Sequence, residues 1–265
     1  MLRRMTFFLF CFLAICDKIV TLHYKITNIV TKMKQSYGNY SIEWLDEIDS
    51  TNSELRRRLP SLDNLSVVAA RYQTAGRGQG THTWLSPEDE NLTFSILLRF
   101  GKGGIVQLPA TEAVRITQAA TLSIRSFLLS EGVQSRIKWP NDIWVADRKI
   151  CGMLIENILD GPNVAFSIVG IGVNLNQQSF DPALPNPVSL AQLTGRRYPL
   201  RETLGRICEM ICRRVAQLDT ADGRYELEKE FNEHLFHLEK SRQDALSEAI
   251  ADFEEGQQPV KDPRP

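Results

Sequence analysis

The residues best suited to chemistry lie in a glycine-rich loop at residues 73–84, where Arg77 stands between Gly76 and Gly78, with Gly80 beyond. Glycine lets the backbone adopt positive φ and approach a ligand closely, and arginine supplies a planar cation. The spacing G-x-G-x-G differs from the dinucleotide fingerprint, and the sequence contains no G-x-x-x-x-G-K-[ST] motif. The loop is therefore either an anion site of another kind or a flexible connection.

A second set of unusual residues follows later in the chain. Residues 138–142 (KWPND) can place polar groups at a pocket wall, although Asn-Asp after proline is also ordinary turn chemistry. Lys149 follows the next turn, where a surface lysine is the common alternative. Gly170 and Gly172 interrupt an apolar strand, which indicates a bulge or the close approach of a ligand or of backbone. Each signal alone fits ordinary structure as well as function.

The elements that must position these residues can be read from periodicity. A strand at residues 42–48 ends just before Ser50, and Thr51 with Glu54 fits a capping box that starts a helix ending at Pro60. Apolar runs predict further strands at residues 65–72, 91–100, 135–139, 143–146, 150–158 and 164–176. The candidate residues therefore fall at strand ends, turns and a helix start.

Two longer helices provide the scaffold. One is predicted at residues 109–130, with Val114, Ile124 and Leu128 along one stripe and Gly132 as its C-terminal cap. The other is predicted at residues 199–218. We expect both to pack on the sheet and to take no part in chemistry.

Composition narrows the class of protein. The chain has 265 residues, 43 % of them hydrophobic, and a net charge of -1, which predicts one large domain with a small appendage. The chain has no excess of basic residues over acidic ones, so the composition does not favour binding to a nucleic-acid backbone. Five cysteines without framework spacing favour a reducing compartment. Cys151 is expected to be a buried thiol, and Cys208 with Cys212 to be core thiols rather than a metal site.

The N-terminus allows two interpretations. Arg3 and Arg4 precede an apolar run at residues 7–15, which resembles the start of a secretory signal but is shorter than the about 20 residues that span a bilayer. Met33 opens the first organised segment. We interpret residues 1–32 as an extension from an upstream start codon and predict a cytoplasmic protein that does not enter a membrane.

In their order along residues 42–176, these motifs resemble those of the biotin protein ligases. The motifs are Asp49-Ser50-Thr51-Asn52, Gln73-Thr74-Ala75-Gly76-Arg77-Gly78, Lys138-Trp139-Pro140-Asn141-Asp142, Arg148-Lys149-Ile150-Cys151-Gly152-Met153-Leu154-Ile155-Glu156 and Gly170-Ile171-Gly172-Val173-Asn174. The resemblance implies an α+β fold of the class II aminoacyl-tRNA synthetase and biotin ligase type. That fold has a mixed, largely antiparallel sheet with helices packed on one side.

The resemblance also implies a reaction. Biotin and ATP, with Mg²⁺, would give biotinyl-5′-AMP, and biotin would then pass to a lysine of a biotin carboxyl carrier protein. Lys149 and Arg77 would be the catalytic cations. The implied biotin contacts are Ser50, Thr51, Asn52, Gln73, Gly76, Arg77, Gly78, Lys149, Gly152 and Gly170. The implied ATP contacts are Arg77, Asp142, Lys149 and Asn174, with no metal bound by the protein alone.

Several features depart from the family pattern. Many relatives carry arginine where this chain has Gln79, and the missing charge would weaken retention of the adenylate. No helix-turn-helix pattern precedes Tyr40, which implies the short form without a DNA-binding domain. We therefore predict a catalytic domain at residues 33–218. Residues 219–265, with charged helix at 225–253, would form an atypical tail in place of a small β-barrel.

Three functions stay open on the sequence alone. The first is a working biotin ligase, as a monomer or homodimer. The second is a lipoate or octanoate ligase or transferase on the same fold, against which the Gly-Arg-Gly loop and the KWPND run argue. The third is a biotin-binding homologue that has lost catalysis.

Overall fold

The computed structural model describes residues 35–37, 40–80 and 82–236. The predictions for residues 1–32 and for the tail beyond Phe236 lie outside these residues. The described strands are β1 (Gln35–Tyr37), β2 (Tyr40–Ile48), β3 (Ser66–Gln73), β4 (Leu92–Arg99), β5 (Leu108–Pro109), β6 (Arg136–Lys138), β7 (Asp142–Val145), β8 (Arg148–Asp160) and β9 (Asn163–Val173). The described helices are α1 (Thr51–Arg58), α2 (Val114–Ser130), α3 (Leu190–Thr194), α4 (Leu200–Ala216) and α5 (Ala221–Glu233).

The strands of the described region form one sheet in the order β1-β2-β3-β4-β9-β8-β7-β6, and the short β5 also pairs with β9. Only β2 and β3 run parallel among these pairs, because α1 forms the crossover between them. The strands predicted from residue 65 onward are all present, with ends shifted by one to three residues. The long hairpin of β8 and β9 forms the centre of the sheet.

The three long helices cover one face of the sheet. Apolar side chains of α2, α4 and α5 join alternate strand residues in one buried cluster that includes Phe94, Leu122, Ile207 and Leu227. The predicted α+β class with a mixed, largely antiparallel sheet is confirmed. Helix α5 lies beyond the predicted boundary at residue 218, yet Leu227 belongs to this same cluster.

Helix α2 is shorter than predicted. Pro109 pairs in β5 and residues 110–112 form a 3₁₀ turn, so the α-helix begins at Val114. Ile124 and Leu128 are fully buried as the stripe predicts, whereas Val114 is 38 % exposed at the helix start. Gly132 adopts φ +82° and its N–H donates to the Leu129 carbonyl, which confirms the predicted cap.

The opposite face of the sheet carries α1, which packs on it through a small apolar cluster. Leu55 of α1 packs with Val68, Leu97 and Ile168 in a small separate cluster. Because side chains alternate along a strand, the positions that follow Ile168 by two and four residues on this face are Gly170 and Gly172. The sheet thus offers an open floor beside α1.

The start of α1 corrects one prediction. Ser50 is the N-cap residue, but its side chain makes no capping hydrogen bond, so the capping box of Thr51 and Glu54 is wrong. The Thr51 N–H donates instead to Gln73 Oε1 at 2.8 Å. A side chain from the end of β3 therefore satisfies this helix terminus. No helix in the described part of the chain is long and apolar enough to cross a membrane.

Candidate functional site

A cavity of about 490 Å³ opens on the α1 face of the sheet, which is a suitable size for a small-molecule ligand. Its walls come from the glycine-rich loop, the start of α1, the β6–β7 connection and the central strands. Eleven of the twelve predicted site residues line it: Ser50, Thr51, Asn52, Gln73, Arg77, Gly78, Asp142, Lys149, Gly152, Gly170 and Asn174. The fold thus brings together motifs that are up to 124 residues apart in sequence, from Ser50 to Asn174.

Gly76 is the exception, since it does not line the cavity. Its carbonyl accepts the Trp84 N–H at 3.0 Å, which closes the base of the loop. A Cβ on this residue would overlap the Trp84 carbonyl and lie 2.9 Å from Gln73 Nε2. Gly76 is therefore constrained by loop packing, and its contact with biotin stays a prediction.

Hydrogen bonds at the start of α1 organise a buried set of side chains, which we call the polar cluster: Ser50, Thr51, Asn52, Gln73 and Ser95. The Thr51 hydroxyl donates to Gln73 Oε1 at 3.1 Å, and Ser95 Oγ lies 2.7 Å from Thr51 Oγ1 and 2.5 Å from Asn52 Oδ1. Gln73 lines the cavity, and its amide NH₂ makes no hydrogen bond to the described residues. The cluster can therefore donate hydrogen bonds to a polar ligand.

Ser95 was missed by sequence reasoning. It lies on β4 and is fully buried, between the core residues Phe94 and Ile96. The signal was available, because Thr93 and Ser95 are the polar members of an otherwise apolar strand and alternate with that core.

Three glycines form the cavity floor. A Cβ on Gly170 would overlap the Asn52 side chain, with Asn52 Nδ2 3.1 Å away. A Cβ on Gly172 would overlap the Trp84 indole, and one on Gly152 would lie 3.2 Å from Trp84 Cζ3. Close approach of neighbouring side chains explains the interrupted strand, a question that the sequence left open.

Trp84 is the second residue that the sequence analysis did not assign to the site. Its indole lies across Gly172 and forms part of the cavity wall. The indole Nε1 is buried and has no hydrogen-bond partner in the part of the chain that the structure describes. A buried donor without a partner is uncommon in folded proteins, which marks Trp84 as an unusual member of the cavity wall.

Lys149 forms the first of two ion pairs at the site. Its Nζ lies 2.8 Å from Asp142 Oδ1, and its side chain is 33 % exposed. The backbone is fixed as well, because the Lys149 N–H donates to the Asn186 carbonyl at 2.8 Å and the Val188 N–H donates to the Lys149 carbonyl at 2.9 Å. Lys149 is therefore held in place at the cavity and is unlike a mobile surface lysine.

Arg77 forms the second ion pair. Its Nη2 lies 2.7 Å from Glu156 Oε2, and its side chain is 43 % exposed. Within the described residues, Nε and Nη1 of Arg77 make no hydrogen bond. Half of the guanidinium therefore remains available to an anion in the cavity.

Asn174 is buried where β9 ends and fixes an apolar loop against the cavity. Its Nδ2 donates to the Val188 carbonyl at 3.1 Å and lies 3.4 Å from the Lys149 carbonyl. This loop adds apolar lining residues that sequence reasoning did not find: Phe180, Leu184, Pro185 and Pro187. The loop gives the cavity a flat apolar wall beside Lys149.

The KWPND run forms the outer rim of the cavity. Trp139 is 61 % exposed and makes an edge contact with Phe231 of α5, with ring centroids 6.2 Å apart. The Trp139–Pro140 peptide bond is cis. Asn141 turns inward, and its Nδ2 donates to the Met153 carbonyl of β8. The run is therefore a pocket wall as well as a turn.

The cysteines agree with their predicted roles. Cys151 and Cys208 are fully buried, and burial raises the pKa of each thiol far above its usual value. Burial also raises the pKa of Cys212 to about 11. All three thiols are therefore protonated near neutral pH and are poor nucleophiles. No group of three or more His, Cys, Asp or Glu residues that could hold a metal ion occurs within the described ranges.

The site thus offers hydrogen-bond donors and acceptors, an aromatic wall and the ion-paired cations Arg77 and Lys149 in one cavity. Such a site suits a ligand with a polar ring, an apolar section and a carboxylate, together with a second anion. A carboxylate and a phosphate can be held together there, because each cation reduces their mutual repulsion.

Comparison with known proteins agrees with this geometry. Residues 44–174 match the model of the Biotin/lipoate A/B protein ligase family. The biotin--[acetyl-CoA-carboxylase] ligase of Paracoccus denitrificans is 36 % identical over 183 residues, covering 66 % of this chain and 73 % of that protein. The bifunctional ligase/repressor BirA of Escherichia coli is 32 % identical, covering 55 % of this chain and 44 % of BirA.

Among solved structures, the biotin protein ligase from Aquifex aeolicus in complex with biotin and ATP superposes with a TM-score of 0.63 at 25 % identity, over 76 % of this chain and 80 % of that one. The relatives share the motif region and the fold that carries the cavity. The chain belongs to the Biotin/lipoate A/B protein ligase family, among its biotin protein ligases.

Proposed function

We propose that the protein is an ATP-dependent biotin ligase that forms biotinyl-5′-AMP and transfers biotin to a lysine of a biotin carboxyl carrier protein. One observation carries the proposal: a single cavity gathers eleven of the twelve predicted site residues and combines a polar cluster with the ion-paired cations Arg77 and Lys149. Family membership and the names of the relatives support it.

In the first step a biotin carboxylate oxygen attacks the α-phosphorus of ATP. The new P–O bond forms as the bond to pyrophosphate breaks, giving biotinyl-5′-AMP. Two anions must meet, so cations that hold both groups stabilise the charge of the transition state. Lys149 and Arg77 supply this stabilisation, while Asp142 keeps the Lys149 ammonium oriented at 2.8 Å.

The polar cluster orients biotin. The ureido ring needs donors and acceptors, and the Gln73 amide NH₂ and the Ser50 hydroxyl are the side-chain groups of the cluster that carry no bond to described residues. The glycine floor and Trp84 contact the apolar part of the ligand. Biotin is thus held with its carboxylate toward the cations.

ATP occupies the side of the cavity near Asn174 and the apolar loop. The base would lie against the flat wall of Leu184, Pro185 and Pro187. We propose that Mg²⁺ arrives with ATP, bound by phosphate oxygens. The described residues include Asp142 as a nearby carboxylate, but its oxygen already pairs with Lys149.

In the second step the amine of the carrier lysine attacks the carbonyl carbon of the mixed anhydride and AMP leaves. No protein nucleophile is needed, in agreement with a buried, protonated Cys151. The half-exposed Trp139 rim is where the carrier would approach. We propose a cytoplasmic location, where ATP and carboxylase carriers occur, and a monomer or homodimer.

Lipoate or octanoate ligation is the second candidate, because the matching family model covers both biotin and lipoate enzymes. Pyrophosphate release with ATP and biotin, lipoate or octanoate in parallel separates the two. We expect release with biotin only. Release with lipoate or octanoate alone would replace the proposal, and binding of biotin without any release would indicate a homologue that has lost catalysis.

A further inference from the structure

We propose that Glu156 is a positioning residue that orients the Arg77 guanidinium for adenylate formation, an inference that depends on the proposed function. Glu156 lies on β8 beside the cavity, on the same face of the strand as the lining residues Gly152 and Leu154, but does not line the cavity itself. One of its oxygens, Oε2, accepts from Arg77 Nη2 at 2.7 Å and from Asn52 Nδ2 at 2.8 Å. A single carboxylate oxygen therefore connects the glycine-rich loop to the polar cluster.

Arg77 needs such an anchor because its own segment gives it little rigidity. Gly76 and Gly78 flank it, and glycine restricts the backbone less than any other residue. Glu156, in contrast, lies on a strand that is paired with β9 on one side, through the register Glu156 to Ile168. A fixed carboxylate restrains a long side chain that would otherwise sample many rotamers.

The geometry of the contact leaves Arg77 able to act. Glu156 engages the guanidinium through Nη2, while Nε and Nη1 make no hydrogen bond to any described residue. One nitrogen of the guanidinium is thus fixed, while Nε and Nη1 keep their N–H groups unpaired among the described residues. A carboxylate or phosphate oxygen can accept from either of them without displacing Glu156.

The local charge also favours an incoming anion. Arg56 Nη2 lies 3.3 Å from Glu156 Oε1, so two guanidinium groups share one carboxylate. The cluster of Arg56, Arg77 and Glu156 therefore keeps a net positive charge. Glu156 can position Arg77 without cancelling the attraction that catalysis requires.

The link to Asn52 extends the positioning into the biotin site. Asn52 Nδ2 also lies 3.2 Å from the Leu154 carbonyl, and Asn52 Oδ1 accepts from Ser95. Asn52 packs so closely on Gly170 that its own position is fixed. Glu156 therefore sets the distance between the groups that orient biotin and the cation that activates its carboxylate.

The test compares Glu156→Gln with the unaltered chain in biotin-dependent pyrophosphate release. The amide keeps an oxygen that Asn52 can bond but loses the negative charge that holds Arg77. We expect kcat/KM to fall about 10- to 100-fold, the effect of losing one hydrogen bond to a charged group. Glu228→Gln is the matched control, because it removes the ion pair between Glu228 of α5 and Arg115 of α2. Neither residue lines the cavity, so the rate should be unchanged.

A double variant distinguishes positioning from a general effect on the fold. If Glu156 acts through Arg77, then Arg77→Ala with Glu156→Gln should match Arg77→Ala alone within about twofold, because no guanidinium remains to be positioned. Multiplicative losses, or a Glu156→Gln variant with full activity, would overturn the proposal. Should Glu156→Gln fail to fold, Glu156→Asp enters the same comparison, since it keeps the charge but shortens the reach.

The two levels of inference fail separately. An unaltered chain that releases no pyrophosphate with biotin and ATP overturns the proposed function, and with it the role of Glu156. If the unaltered chain releases pyrophosphate normally but the losses of the two substitutions multiply in the double variant, only the role of Glu156 is overturned.

Discussion

The polar cluster and the two ion pairs line the same cavity but are built in opposite ways. The cluster is buried, and Ser95 links Thr51 and Asn52 through its hydroxyl group. The ion pairs are partly exposed, and each cation has one carboxylate partner and unused hydrogen-bonding capacity. Packing thus fixes the polar cluster, which is the proposed biotin site, in advance, whereas the cations keep the freedom to accept two anions.

This contrast predicts which measurement each substitution changes. A change in the polar cluster or the glycine floor should alter both stability and biotin affinity, because those groups are part of the packed structure. A change in a cation should alter the rate and leave stability nearly unaltered, since exposed ion pairs contribute little to folding.

The largest effect is expected for Lys149→Ala. Loss of this ammonium should lower the rate of adenylate formation by about 10²- to 10³-fold, the usual result of removing one group that stabilises developing charge. The midpoint of thermal unfolding should hardly move, because Lys149 is partly exposed and its backbone bonds to Asn186 and Val188 persist. Pyrophosphate release and calorimetry on the same preparation measure both. Near-normal release would remove Lys149 from its proposed role.

The next largest effect is expected for Arg77→Ala, which should lower kcat/KM by about 10²-fold. One guanidinium is proposed to hold both anions, so KM for biotin and KM for ATP should rise together. Initial rates at varied concentrations of each substrate check this. A defect limited to ATP would contradict the shared role, and a large loss of stability would weaken the contrast with the polar cluster.

Gly172→Ala tests the packed floor. The new Cβ would overlap the Trp84 indole, and inserting a methyl group into a packed site typically costs about 1–3 kcal/mol. We expect both a lower free energy of unfolding and weaker biotin binding, measured by denaturant titration and isothermal calorimetry.

Gly205→Ala is the control for that substitution, because a Cβ on this α4 residue meets no atom within 4 Å. Alanine in a helix interior should raise stability by up to about 1 kcal/mol and leave biotin binding unchanged. If Gly172→Ala, like Gly205→Ala, bound biotin as tightly as the unaltered chain, Trp84 would have no part in biotin recognition.

The sequence allowed the fold class, the strands and eleven of the cavity residues to be predicted, because periodicity and the family motifs are local signals. It could not show which groups those residues bond. Thr51 was assigned to a helix cap, whereas its N–H and hydroxyl both donate to Gln73, which is distant in sequence. A cap and a tertiary contact use the same residue types, so local pattern cannot separate them.

Glu156 and Ser95 show a second limit. Both are polar residues on central strands, and such a residue can face solvent, a cavity or a buried partner. Their function depends on which strand neighbours which, and the pairing of β4 with β9, which places β4 beside the β8–β9 hairpin, is long range. The strand ends and the Gly-rich loop could be predicted from local sequence. The roles of Glu156 and Ser95 could be inferred only once the order of the strands in the sheet was known.

The smallest effect concerns an ion pair at the edge of the polar cluster. Both oxygens of Asp49 accept from Arg57 at 2.8 Å, and the Ser50 N–H donates to Asp49 Oδ1 at 2.7 Å. The Arg57 guanidinium is the main cause that lowers the pKa of Asp49 from 3.8 to about 2. Because the folded-state pKa is depressed, the stabilising contribution is complete above pH 3.8 and is lost as the pH falls through about 2.

Asp49→Asn should therefore destabilise the protein slightly at neutral pH and have no effect below about pH 2, where the carboxyl is protonated in both states. The effect is small because both side chains are about half exposed and solvent screens the pair. Unfolding titrations of the two proteins across this pH range measure the difference, and biotin binding at neutral pH should be equal. A clear loss of biotin binding in Asp49→Asn would show that the polar cluster depends on an exposed ion pair. The separation between buried groups that bind biotin and exposed groups that do not would then be wrong.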